Sequence, residues 1–216
     1  TIQEIKHRAK AHYATQNRAV TKQDYKSYVY AMPGKFGSVK RCNIVQDTDS
    51  FRRNLNFYVI SQAPNGNLIK TPESTKQNLK TWLGKNKMIN DSIDVLDAKI
   101  ANISVEFKVV AMSTAESSKF SLLRECVSRL TETVFSRYYE IGEPLDISQI
   151  YKTLNLIPGV MDTVDVKISN VSGGLYSSVV LNVDRLTSAD GRKLYIPEDH
   201  ILELKYPNVD ITGVIE

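Results

Sequence analysis

Apolar residues recur along this chain with two periods, one near 3.6 and one of 2, and the two alternate in blocks. Ile2, Ile5 and Ala9 lie at helical spacing up to about Tyr13, and Thr15-Gln16-Asn17-Arg18 then breaks the pattern. Thr21 is placed as an N-cap, with Val20 before it and Tyr25 four residues after it as a hydrophobic staple. This predicts a helix over 22–32, stopped by Pro33-Gly34. Strands are expected over 39–45 and 55–60, with Leu55, Phe57 and Val59 alternating against Asn56 and Tyr58 and a turn at Asp47-Thr48-Asp49-Ser50. Pro64-Asn65-Gly66-Asn67 closes the block. Thr71 as N-cap and Pro72 in the first helical position open another helix, whose stripe is Leu79, Trp82 and Leu83. Trp82 reads as a core anchor rather than an interface hot spot.

The segment 103–109 alternates most cleanly, as a half-buried antiparallel strand does. Ser117 or Ser118 is placed to cap a long helix to about Tyr139, with Phe120, Leu123, Val127, Leu130, Val134 and Tyr138 on one face and Gly142 as its end. In the tail, 179–183 and 194–196 read as hairpin strands around Asp190-Gly191, and Ile201-Leu202-Glu203-Leu204 as one more.

One constant offset carries Val20-Thr21 onto Leu145-Asp146, Tyr25 onto Ile150, Val29 onto Leu154, Met32-Pro33-Gly34 onto Ile157-Pro158-Gly159, and Val39 onto Val164. Both copies read staple, cap, short helix, Pro-Gly stop, strand, and Gln149 adds a capping-box residue to the second. Each copy leaves an apolar helix face and an apolar strand face to bury. The expected class is α+β: two small helix-on-antiparallel-sheet units related by an internal repeat. The expected division is 1–116, with the N-terminal helix, and 117–216, with the long helix and the last strands.

Composition changes this picture little. The chain has 216 residues, 42% hydrophobic and 24% charged, which is a globular profile outside the disordered and membrane classes. Its apolar runs, such as 109–112 and 179–181, fall far below the roughly 20 residues of a spanning helix. The opening Thr1-Ile2-Gln3-Glu4-Ile5-Lys6 enters a helical pattern directly, as expected of a piece of a longer polypeptide. Cys42 and Cys126 have no Cys or His at metal-ligand spacing and read as reduced core residues. The net charge of +4 is scattered, with Arg52-Arg53 the tightest basic pair and Lys76, Lys80, Lys85 and Lys87 along one helical region, so solvated faces are expected.

Candidate chemistry is sparse. The chain has no Gly-rich phosphate loop, HExxH, Gly-x-Ser-x-Gly or Cys-x-x-Cys. His7 and His12 are five apart, off a common helix face, and His200 in Pro197-Glu198-Asp199-His200 reads as part of a polar turn before a strand. Asp94 with Asp97, and Asp162 with Asp165, sit among apolar strand residues and read as solvent-facing rather than as acid pairs for hydrolysis. Phe57 and Phe107 alternate in phase with aliphatic neighbours and so point inward, leaving no aromatic platform for bases. No catalytic residue, metal site or cofactor is assigned, and no enzymatic activity is expected.

The string Arg18-Ala19-Val20-Thr21-Lys22-Gln23-Asp24-Tyr25, followed by Met32-Pro33-Gly34 and Val39-Lys40-Arg41, resembles the baseplate J-like family. Leu79-Lys80-Thr81-Trp82-Leu83, Ile89-Asn90-Asp91, the strand through Val105, Ile157-Pro158-Gly159-Val160 and Pro197-Glu198-Asp199-His200-Ile201-Leu202 follow in the family's order. Lys40-Arg41-Cys42-Asn43 is similar to the wedge proteins of T-even type contractile-tailed bacteriophages, of which this would be the C-terminal part. The resemblance implies a structural role: a virion protein of the viral tail baseplate, assembled in the host cytoplasm. It would dimerise and link wedges into a ring around the central hub, beside other wedge proteins, without specific nucleic acid or membrane insertion. A non-enzymatic nucleic-acid or ligand-binding α+β module stays open as the alternative, and an enzyme of unrecognised type as a third reading.

A self-associating protein needs surface that its own core does not use. Tyr28 and Tyr30 straddle the first helix, Tyr138 and Tyr139 are adjacent and cannot share one face, and Phe51 lies in a polar turn beside Arg52 and Arg53. Tyrosine and arginine are enriched in interfaces, so these seven are the candidate interface residues.

Overall fold

The computed structural model describes residues 18–47, 54–112, 119–136 and 139–215, with positions 2, 5, 6, 9, 10 and 13. The α+β class holds, and the chain separates into two compact units, Thr1–Ala98 and Lys99–Glu216. The division falls ahead of the one expected near Glu116. Its reason is that, among the described residues, the strand through Phe107 pairs with elements that follow it in the chain.

In the first unit, helix α1 (Lys22–Ala31) starts at a complete capping box: the Thr21 hydroxyl accepts from Asp24 N, and the Asp24 carboxylate accepts from Thr21 N at 2.9 Å. After Pro33, a 3₁₀ turn over Gly34–Phe36 and Gly37 at φ 112° lead into β1 (Arg41–Gln46). A side chain at Gly37 would run into Thr75, so both space and backbone favour glycine there. β1 runs antiparallel to β2 (Asn54–Gln62), with Cys42 opposite Val59 and Ile44 opposite Phe57. β2 also pairs with the short antiparallel β3 (Leu68–Ile69) and, in parallel, with β4 (Ser92–Asp97). A parallel neighbour needs a crossover, and α2 (Glu73–Gly84) supplies it. Tyr25, Val29, Cys42, Ile44, Phe57, Val59, Leu79 and Leu83 make the core, with the Tyr25 and Phe57 rings edge to face at 5.6 Å.

In the second unit the central strand comes first. β5 (Lys99–Ala111) is antiparallel to β7 (Val160–Val171), with register shifts near Lys108 and Val110, and parallel to β9 (His200–Glu203) and β10 (Ile211–Ile215). Helices α3 (Lys119–Thr133) and α4 (Ile147–Asn155) bury Leu122, Cys126, Leu130, Ile150 and Leu154 against Val105, Phe107 and Val109. The short β6 (Leu145–Asp146) pairs with β8 (Lys193–Leu194), and one-turn helices α5 (Val183–Leu186) and α6 (Pro207–Asp210) complete the unit. Gly213 has no room for a side chain, because Phe107 and Leu123 occupy the space.

Both predicted copies of the repeat are helical, α1 capped by Thr21 and α4 by Asp146 through Ser148 N. Several expectations change. The sheets are mixed, not antiparallel, because β2 and β5 each take parallel partners. Thr71 does not cap α2: its hydroxyl bonds to that of Ser61 inside the unit, and Pro72 holds the cap position without a side-chain bond. Residues 179–183 are not a strand, since β8 pairs with β6 and α5 begins at Val183. α3 ends at Thr133, well before Tyr139, and Phe120 is 90% exposed while Leu122 and Cys126 turn inward. Trp82 and Leu123, expected in the core, are half-buried against it. The expected cap at Ser117 or Ser118 and the expected turn through 48–50 lie outside the described residues.

Candidate interaction surfaces

Of the candidate interface residues, Phe51, Arg52, Arg53 and Tyr138 lie outside the described residues. Tyr28 and Tyr139 are buried at 3% and 7% exposure, a correction to their reading as open surface. α1 packs against both β1 and α2, so it buries two faces where the sequence argument allowed one. The Tyr28 carbonyl accepts from Trp82 Nε1 at 2.9 Å, and the half-buried Tyr30 hydroxyl accepts from Cys42 N at 3.0 Å. Tyr139 folds back over the end of α3, its hydroxyl donating to the Val134 carbonyl and its ring 6.4 Å from that of Phe135.

The acidic pairs are tied locally. Asp94 accepts from Asn54 Nδ2 at 2.9 Å and from Lys80 at 3.2 Å, and these bonds, Asn54 first, hold its carboxyl below the usual range against burial. Asp97 meets Lys76 at 3.2 Å, Asp162 accepts from Thr163 N at 2.8 Å, and Asp165 lies 3.7 Å from Lys167. At the start of β9, His200 Nδ1 is 2.6 Å from Asp199, which also meets Lys99 at 3.0 Å. Burial raises the Asp199 carboxyl, but Lys99 and His200 outweigh it and leave it low. Both cysteines are buried thiols, and burial pushes the Cys126 thiol up to about 11. Among the described residues, no three or more His, Cys, Asp or Glu gather where a metal could sit, and no helix is long and apolar enough to cross a membrane.

Two loops present apolar side chains to solvent while buried polar groups hold their backbones. In the first unit, Tyr25 donates to Asp91 at 2.6 Å and accepts from Met88 N at 3.2 Å, fixing the loop in which Ile89 is 97% exposed. Burial and Asp91 together push the Tyr25 phenol well above its usual range. The loop is further held by Ala19 N bonding to the Asn86 carbonyl at 2.9 Å. A groove runs from Lys87, Met88 and Ile89 past Val20 to Lys22, Ile44 and Leu55, with Val20 and Asp91 lining both halves. In the second unit, Tyr176 donates to the buried Asp210 at 2.6 Å, and the bond pushes its phenol up to about 12. The Asn102 side chain, buried between Glu203 and Ser177 N, and that of Asn170, bonded to Leu181 N, hold the same loop, where Leu175 and Val180 stand exposed. These loops escaped the sequence argument because their anchors are far apart in the chain. The one local signal was an apolar pair, Met88-Ile89, inside a polar turn.

No family model matches the chain, and no curated protein matches it. Among solved structures, its fold is shared with a chain of the anti-feeding prophage (AFP) baseplate, determined by cryo-EM and 6-fold symmetrised. The TM-score is 0.54 at 11% sequence identity, over 95% of this chain and 42% of that one. The chain thus spans less than half the length of this neighbour, and the likeness is one of fold.

Proposed function

We propose that the chain is a structural, non-enzymatic component of a contractile-tail baseplate wedge. In this reading it pairs with copies of itself and with neighbouring wedge proteins to link wedges into a ring around the central hub. It is assembled in the host cytoplasm and resides in the virion tail. The observation that carries the reading is the fold shared with a baseplate chain over 95% of the sequence. The resemblance of Arg18 to Tyr25 and the Pro-Gly stops to the baseplate J-like family supports it from the residues alone.

A stable two-fold contact needs roughly 1,200–2,000 Å² of total buried area. Because Tyr28 and Tyr139 are taken up internally, Phe51, Arg52, Arg53 and Tyr138 are the residues to vary. Light scattering at tens of micromolar is expected to show a dimer or larger, reduced in Phe51→Ala with an unchanged unfolding midpoint. A strictly monomeric chain that is also absent from purified tails overturns the proposal. Binding to duplex DNA is expected to be weak, about 10⁻⁴ to 10⁻⁶ M at physiological salt. Binding a hundredfold tighter with a steep salt slope would favour a nucleic-acid module instead.

A further inference from the structure

The groove of the first unit sorts its charges. The two nearby carboxylates are already engaged: Asp24 accepts from Val20 N and Thr21 N, and Asp91 accepts from the Tyr25 hydroxyl. Four basic residues, Arg18, Lys22, Lys85 and Lys87, stand against these two acids. Lys22 lines the groove and is exposed, and Arg18 and Lys85 stand exposed beside Ala19 and Asn86, whose backbones are bonded to each other. None of the three meets a carboxylate among the described residues. Lys87 donates to the Asp91 carbonyl, and it forms no ion pair with a carboxylate among the described residues. Lys22 and Lys87 line the groove together with Val20, Met88 and Ile89, which are 56%, 45% and 97% exposed.

We infer that this groove docks an acidic segment of a protein partner, its apolar side chains on Val20, Met88 and Ile89 and its carboxylates toward Lys22, Arg18 and Lys85. Charge complementarity around an apolar floor is the arrangement that steers and orients a partner of opposite sign. The floor is also preorganised. The Tyr25 bonds to Asp91 and Met88 N hold the loop before any partner arrives, which lowers the ordering cost of binding. Nucleic acid fits less well, because the one aromatic ring lining the groove among the described residues, Tyr25, is buried and leaves no face on which a base can stack. A bilayer fits less well too, since three apolar side chains along a groove offer far less than the broad apolar face by which an amphipathic surface enters lipid.

The groove stands on the unit's own geometry, so its test is independent of tail assembly. The whole chain is immobilised and a displayed library of random twelve-residue peptides is selected against it. Recovered peptides are expected to be rich in Asp and Glu with interspersed apolar residues. Their affinity, measured by fluorescence anisotropy, should fall at least tenfold in Ile89→Asp and severalfold in Lys22→Glu, and stay unchanged in Leu175→Asp on the second unit. Both groove positions are exposed, so unfolding midpoints should match the parent chain. Basic or neutral peptides, an empty selection, or binding indifferent to Ile89 and Lys22 overturns the inference. So does stronger binding, through these same residues, of a DNA duplex or of phosphatidylglycerol vesicles than of the acidic peptides.

Discussion

The two units use the same local device and finish it differently. In the first, α1 and β1 are completed by β2, which follows them in the chain; in the second, α4 and β7 are completed by β5, which precedes them. The offset that carries α1 onto α4 carries 55–60 onto 180–185, where no strand forms. In both units the central strand has an antiparallel neighbour behind the Pro-Gly stop and a parallel neighbour besides. A helix with a cap, a stop and a strand is therefore a portable piece. Which strand completes its sheet is decided by whatever long apolar strand the rest of the chain offers.

The cores differ in chemistry as well. Around α1 the buried side chains include Tyr25 and Tyr28, and a phenol-carboxylate bond ties helix to loop. Around α4 they are Ile147, Ile150 and Leu154 against a sheet that presents Val105, Phe107 and Val109, and the corresponding phenol bond, Tyr176 to Asp210, lies away from the helix. Polar fixing of an exposed loop thus recurs in both units without recurring at the same place.

The largest test of this contrast is Phe107→Ala. Phe107 is 1% exposed and fills the space that Gly213 leaves, so the loss should be about 3–5 kcal/mol in denaturant unfolding. A loss below about 1 kcal/mol would show that β5 is not the centre of the second core. Next come Leu154→Ala and Val29→Ala, equivalent in the repeat and both buried. The leucine should cost about 2–5 kcal/mol and the smaller valine less. The reverse order would mean the two helices are not equivalent in depth.

Tyr25→Phe keeps the ring and removes the hydroxyl that satisfies both Asp91 and Met88 N. About 1–3 kcal/mol should be lost, with faster hydrogen exchange confined to the loop around Met88. Exchange unchanged there would leave the loop held by other contacts. Thr21→Ala should cost about 0.5–2 kcal/mol, and more than Asp146→Ala, because only Thr21 belongs to a reciprocal capping box.

The smallest effect is in pH. Burial raises the Asp24 carboxyl, but its bonds from Thr21 and Val20 N–H outweigh it and hold the folded value below the ordinary 3.8. The contribution is therefore present above the unfolded value and is lost as pH falls through the folded one, in the window just under pH 4. Asp24→Asn should flatten that part of the stability curve, seen as a smaller drop in unfolding midpoint between pH 5 and about 3. An identical drop in the variant would remove Asp24 from the acid response.

Much of this molecule was legible residue by residue. Thr21, Tyr25 and Pro33-Gly34 specify α1, and Asp146, Ile150 and Pro158-Gly159 specify α4, because caps, stops and apolar spacing act within a few residues and carry their own free energy. The alternation of Val105, Phe107 and Val109 likewise determined which face of β5 is buried. The partners of β5 were not legible, because pairing is chosen among all strands of the folded unit, and parallel β9 and β10 arrive a hundred residues later. Tyr28 looked exposed because a single stripe cannot show that a second element will cover the other side of a helix, and Tyr139 because the stripe did not show that α3 stops at Thr133 and the chain folds back over its end. The groove at Val20, Met88 and Ile89 exists only because Ala19 meets Asn86 and Tyr25 meets Asp91 across more than sixty residues of chain. Local sequence determined the pieces; long-range hydrogen bonds and packing, which no local pattern encodes, decided what they surround and what they leave open.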